Sequence, residues 1–170
     1  PNFPKKGIMF RDITPILHNK KVFNQTVESI SKIVTKNKIN KIIGIESRGF
    51  IFAAPVAYKN RISLILVRKK NKLPRPTFKS KYSLEYGFDS LEIHKDSIKK
   101  NDKVMVVDDL IATGGTAMAT AKLISKTNKK RVEFVFITEL VELNGVSKLK
   151  KIGHNITSFC KFTENEKWPL

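Results

Sequence analysis

The chain has one cysteine, Cys160, so it cannot form an internal disulfide, and a reducing, cytoplasmic setting is expected. It has no apolar run near the ~20 residues that a membrane-spanning helix needs, and its first residues resemble neither a signal nor a transit peptide. His18, His94 and His154 lack ligand-like spacing with one another or with Cys160, so no protein-bound metal is expected. Neither a Gly-Lys-Ser/Thr phosphate loop nor a GxGxxG turn occurs, and there is no repeat, low-complexity tract or linker. Acids are scarce, 15 against 33 basic residues, for a net charge of +18. Such a charge ordinarily suggests nucleic acid or an anionic membrane. Here all but six of the basic residues are lysines scattered along the chain beside abundant Ile and Asn, a pattern that codon bias in an A+T-rich genome produces. With no RNA-binding aromatic motif, zinc pattern or arginine-rich run, neither a specific nucleic-acid partner nor a membrane is expected.

What remains is a chain of 170 residues, 41% hydrophobic, sized for a single domain over 1–170 with a sizeable core. Strands and helices alternate. Turn formers dominate as far as Leu17, which reads as a loop. Phe23, Val27, Ile30 and Val34 recur at helical spacing between Val22 and Ile39. Short apolar strands are expected at 41–45, 61–67, 104–107, 132–138 and 155–159, with helices at 50–59, to about 126, and around 145–151. Residues 73–98 break the rhythm: 81–86 and 90–94 flank a glycine turn and predict a hairpin, read with its upstream prolines as a mobile insertion. The alternation implies a parallel sheet with helices on both faces.

One stretch organises the rest. Val104 to Val107 form a continuous apolar run suited to a central parallel strand, and Asp108 and Asp109 follow at its carboxyl end, the edge where open α/β sheets bind ligands. Thr113-Gly114-Gly115-Thr116 then lets backbone N–H groups approach an anion at the start of a helix. Acids beside an anion cradle suit a ligand with both hydroxyls and a phosphate, as in a ribose 5-phosphate. A second strand–turn–helix occurs at Glu46-Ser47-Arg48-Gly49, whose charged tip, Arg48, suits an anion.

The 104–116 stretch resembles the 5-phosphoribosyl 1-pyrophosphate (PRPP) signature of the type I phosphoribosyltransferases. Four blocks in order, 3–15, 44–50, 68–74 with 82–87, and 106–116, resemble the adenine-specific family among them. The resemblance implies the type I phosphoribosyltransferase fold, an α/β architecture with a central, mainly parallel sheet flanked by helices and a mobile β-hairpin or hood. It implies conversion of adenine and PRPP into AMP and pyrophosphate in purine salvage, with Mg2+ carried on the PRPP. By the same resemblance, Ala112, Thr113, Gly114, Gly115 and Thr116 hold the 5-phosphate while Asp108 and Asp109 face the ribose hydroxyls and stabilise charge on the sugar. Ser47 and Arg48 belong to the pyrophosphate loop, where a cis non-proline peptide is expected at Glu46-Ser47 or a neighbouring bond. Arg68, Lys69 and Lys72 match basic residues that reach pyrophosphate, some from a neighbouring subunit, which implies a homodimer and a flexible catalytic loop and hairpin over 68–98. Met9, Phe10 and Arg11, in the adenine-side loop 1–17, match the base-stacking loop, with Leu140 on the other ring face. Glu85 matches the general acid/base, and Tyr86 a lid. Arg75 departs from the family, which usually has glycine there.

Two alternatives share the fold: a PRPP-sensing transcriptional regulator without catalysis, and the same chemistry on another base. The base loop and Glu85 in their family contexts disfavour the first. Ala112 disfavours a 6-oxopurine, because relatives acting on those bases commonly carry an aspartate at that position.

Overall fold

The computed structural model describes residues 6, 10–83, 88–127 and 131–163. Asp12 starts the first element: its carboxylate accepts from the Thr14 N–H at 2.9 Å and the Thr14 hydroxyl at 2.7 Å, and Pro15 occupies the first turn of helix α1, Thr14–His18. The expected loop through Leu17 is therefore helical at its end. Asn19 caps α2, Lys20–Asn37, by accepting from the Lys21 and Val22 N–H groups. There follow β1, Lys41–Ile45; α3, Arg48–Asn60; β2, Ser63–Lys69; β3, Thr77–Ser83; β4, Phe88–His94; β5, Val104–Ile111; and α4, Gly115–Ser125. The last elements are β6, Glu133–Leu140, a 3-10 turn at Val141–Leu143, α5, Gly145–Lys151, and β7, Asn155–Phe162.

The strands form one sheet in the order β3-β4-β2-β1-β5-β6-β7. The five strands from β2 to β7 in that order pair in parallel, while β4 joins β2 antiparallel through Arg68↔Glu92 and Lys69↔Leu91 and carries β3 outside it. The region expected to be an insertion is thus a continuation of the sheet, because Phe78, Tyr82, Leu91 and Ile93 bury one face of the hairpin in the same core as α4. Alternation along the strands sends Ile43, Val104, Val106 and Phe134 to that core, and Ile42, Met105, Val107 and Val135 to a second core under α1, α2 and α3.

β1 and β5 lie side by side, yet the chain runs from β1 outward to β2 and from β5 outward to β6 and β7. This is the topological switch point of the sheet, where the loops after two neighbouring strands part and leave a crevice. Pairing of β5 with β1 ends at Gly44↔Val107, whereas pairing with β6 continues to Ile111↔Glu139. Asp108 and Asp109 consequently lie within the strand rather than after it, at the point where β1 has stopped.

Candidate active site

A cavity of about 610 Å3 fills that crevice. Glu46, Ser47 and Arg48 line it from the β1 side, and Asp108 to Ala117 line it from the end of β5 through the first turn of α4, with Tyr82 and Leu143 completing it. Every residue assigned from the sequence to the 5-phosphate and ribose lies here, together with Ser47 and Arg48. The Glu46-Ser47 peptide is cis, as expected.

Charge in the cavity is organised around Asp109. Its side chain is 5% exposed and its Oδ2 lies 2.9 Å from Arg48 Nε. Asp108 is also buried, and its Oδ1 accepts from the Asp109 N–H at 3.0 Å. Burial raises the pKa of Asp108 well above the ordinary carboxylate value, and the neighbouring Asp109 charge adds to the rise. Ionisation of Asp108 is thus disfavoured beside Asp109, whose carboxylate faces Arg48. The approach of α3 to β5 requires Gly49, where a Cβ would stand 2.6 Å from the Val107 carbonyl oxygen and 3.0 Å from Asp108 Oδ1. Arg48 also reaches Phe10, its guanidinium 5.5 Å from the centroid of that ring.

The basic run is held by a residue that sequence reasoning did not single out. Glu46 accepts from Arg68 Nε at 3.1 Å, Arg68 Nη2 at 3.3 Å and the Lys69 N–H at 2.8 Å. Partial burial raises its pKa, but the Arg68 and Lys69 hydrogen bonds and the Arg68 and Lys72 charges outweigh that and leave it lowered. Arg68 Nη1 also donates to the Lys72 carbonyl at 3.3 Å, and Lys69 Nζ lies 3.9 Å from Asp89. Asp89 accepts from the Tyr82 hydroxyl at 3.2 Å. Burial, followed by the Asp89 charge and that hydrogen bond, pushes Tyr82 up to about 12, so its phenol remains a neutral donor. None of Arg68, Lys69 and Lys72 lines the cavity.

Arg11 lies with its guanidinium 4.8 Å from the Phe162 ring centroid, and Leu140 ends β6, three residues before the cavity-lining Leu143. Met9, Glu85 and Tyr86 lie outside the described residues. Arg75, the departure from the family pattern, is tied to β4 and the turn after it: its guanidinium meets Asp96 and, at 3.1 Å, His94 Nδ1. Among the described residues no group of three or more metal-ligating side chains stands together, and no helix is long and apolar enough to cross a membrane.

A family model described as the phosphoribosyl transferase domain matches residues 12–168. The adenine phosphoribosyltransferase of Clostridium botulinum (strain Loch Maree / Type A3) is 49% identical over 161 residues, spanning 95% of this chain and 92% of that protein. The crystal structure of the adenine phosphoribosyltransferase from Thermoanaerobacter pseudethanolicus matches with a TM-score of 0.87 at 46% identity, covering 95% of this chain and 93% of that one. The Saccharomyces cerevisiae adenine phosphoribosyltransferase, complexed with an imino-altritol bisphosphate and adenine, matches with a TM-score of 0.85 at 37% identity over 94% of this chain and 91% of that one.

Proposed function

The chain belongs to the phosphoribosyl transferase domain family, among its adenine phosphoribosyltransferases, and we propose that it transfers the 5-phosphoribosyl group of PRPP to N9 of adenine, releasing pyrophosphate and forming AMP. The observation that carries this reading is one cavity in which a buried acid pair, an arginine and a glycine-rich turn face each other at the switch point of the sheet. A ligand with ribose hydroxyls flanked by a phosphate on one side and a pyrophosphate on the other matches those three groups.

In this reading the loop from Ala112 to Thr116 takes the 5-phosphate, Asp108 and Asp109 take the ribose hydroxyls, and Ser47 and Arg48 take the pyrophosphate. The C1–O bond to pyrophosphate breaks and the C1–N9 bond forms through a sugar with oxocarbenium character, and the Asp108 and Asp109 carboxyl groups stabilise it. The N9 proton passes to Glu85. Met9, Phe10, Arg11 and Leu140 hold adenine, and Tyr86 helps exclude water. Adenine as the base is supported by the relatives and by the methyl group of Ala112 where a 6-oxopurine enzyme commonly places an acid.

The donor set suits Mg2+ that arrives on PRPP: Asp108 and Asp109 would meet it through the ribose side, and substrate oxygens and water would complete its shell. When bound, Mg2+ neutralises the departing pyrophosphate. Arg68, Lys69 and Lys72 lie outside the chain's own cavity, which supports a homodimer of single-domain chains in which part of the basic run serves the neighbouring site. The exposed free Cys160 suits the reducing cytoplasm.

The test is incubation with Mg2+, PRPP and, separately, adenine, hypoxanthine, guanine, xanthine, uracil and orotate. AMP from adenine in preference to every other mononucleotide is expected. Another preferred base would overturn the specificity, and no nucleotide at all would overturn the activity.

A further inference from the structure

The helix α5 packs against the loop 112–116 through Gly145 and Lys148, and none of its residues lines the cavity. Three consecutive carbonyls of the loop are each held by a donor. Ala112 O accepts from the Gly145 N–H at 3.1 Å, Thr113 O from Lys148 Nζ at 2.9 Å, and Gly114 O from the Met118 N–H at 2.8 Å. Among the described residues, the N–H groups of Thr113, Gly114 and Gly115 are donated to no protein acceptor.

A trans peptide points its N–H opposite its carbonyl, and the only cis bond among the described residues is Glu46-Ser47. Two carbonyls drawn toward α5 therefore turn the next two N–H groups, those of Thr113 and Gly114, away from it and toward the cavity. Successive N–H groups facing one way form an anion-binding concavity. Gly145 is needed for the contact: a Cβ there would lie 2.4 Å from Ala112 O and 2.9 Å from the Gly114 nitrogen, closer than a side chain can come. Lys148 adds a positive charge one layer behind the same peptide groups.

Resting on the function proposed above, we propose that Gly145 and Lys148 are positioning residues for the 5-phosphate, holding the Ala112 and Thr113 carbonyls so that the following N–H groups face the ligand. Neither residue touches the substrate. Their effect belongs to the phosphate subsite and leaves the adenine and pyrophosphate sides alone.

Lys148 is exposed, so Lys148→Met is expected to fold like the parent, with thermal unfolding as the check. Calorimetry with ribose 5-phosphate should show affinity reduced about fivefold, the scale of one hydrogen bond. Steady-state assays should show the KM for PRPP raised by a similar factor, with kcat and the KM for adenine unchanged. Lys148→Arg, which can donate to the same carbonyl, should restore both. Gly145→Ala should weaken ribose 5-phosphate more than Lys148→Met does. Unaltered ribose 5-phosphate affinity in Lys148→Met, or equal losses in kcat and in the KM for adenine, would overturn the proposal. The calorimetry needs no turnover: a parent chain that makes no AMP but binds ribose 5-phosphate in a Lys148-dependent way would refute the activity and keep this inference, and a parent that binds no ribose 5-phosphate would refute both.

Discussion

At the scale of single residues, Asp108 and Asp109 are chemically alike and do different work. Asp109 sets an oxygen 2.9 Å from Arg48 Nε, whereas burial and the neighbouring Asp109 charge raise the proton affinity of Asp108. A group whose folded pKa lies above its unfolded value costs stability as pH rises through the unfolded value, near 3.8, toward the folded one. Asp108→Asn removes that cost, so denaturant titrations should find the variant gaining stability over the parent as pH increases, while AMP formation falls. A parallel pH dependence of the two proteins would show that Asp108 ionises as freely as an exposed carboxylate. Arg48→Met should do the reverse, leaving the Asp109 carboxylate buried without its cation. Breaking a fully buried pair costs ~3–5 kcal/mol, and because Arg48 is 40% exposed a loss of ~1–2 kcal/mol is expected after allowing for solvent screening. The double variant with Asp109→Asn should lose less than the sum of the two single changes, since no carboxylate is then left buried at that position without a cation. The acid pair and the glycine turn were legible in the sequence because their order is local. Gly145 and Lys148 were not, since each reaches the site from another element, and the roles of Glu46 and Tyr82 were not, because their partners Arg68, Lys69 and Asp89 meet them only in the fold.

At the scale of elements, the strands of the parallel sheet followed from their apolar runs, and two misreadings have a common cause. α1 was missed because its five residues are too few to show a period, although Asp12-Ile13-Thr14-Pro15 carries the start signal of a helix. The hairpin was taken for an excursion because its alternating pattern does not show which sheet it joins; pairing of Arg68 with Glu92 decides that. The start of β7 illustrates a further tertiary effect. His154 Nδ1 accepts from the Val132 N–H at 3.2 Å, its ring lies 5.3 Å from that of Phe134, and burial lowers its pKa. A histidine whose folded pKa is depressed contributes stability above its unfolded value of about 6.5, lost as pH falls through the folded value. Protonation also removes the acceptor that β6's flank uses. The parent should therefore lose stability below about pH 6.5, and His154→Gln should show a flatter profile there in the same urea titrations. Identical profiles would mean that the ring reaches solvent in both charge states.

At the scale of the whole molecule, the net charge of +18 was the least informative number in the sequence, because scattered lysines name no partner. The cavity lies at one end of the sheet, and its β1 side is continued by the turn that holds the basic run through Glu46, while the rest of the excess charge is spread along the chain. A uniform excess steers anions over distances set by screening, which falls from about 30 Å at 0.01 M salt to about 8 Å at 0.15 M. PRPP is highly anionic and adenine is neutral, so the two substrates separate steering from any general effect of salt on the protein. With adenine saturating, kcat/KM for PRPP should fall about tenfold between those two salt concentrations at constant free Mg2+. With PRPP saturating, kcat/KM for adenine should stay within about twofold, since a neutral base feels no long-range field. If both fall together, salt is acting on the folded site itself; if neither falls, PRPP capture is limited by a later step, and the lysines contribute to solubility alone.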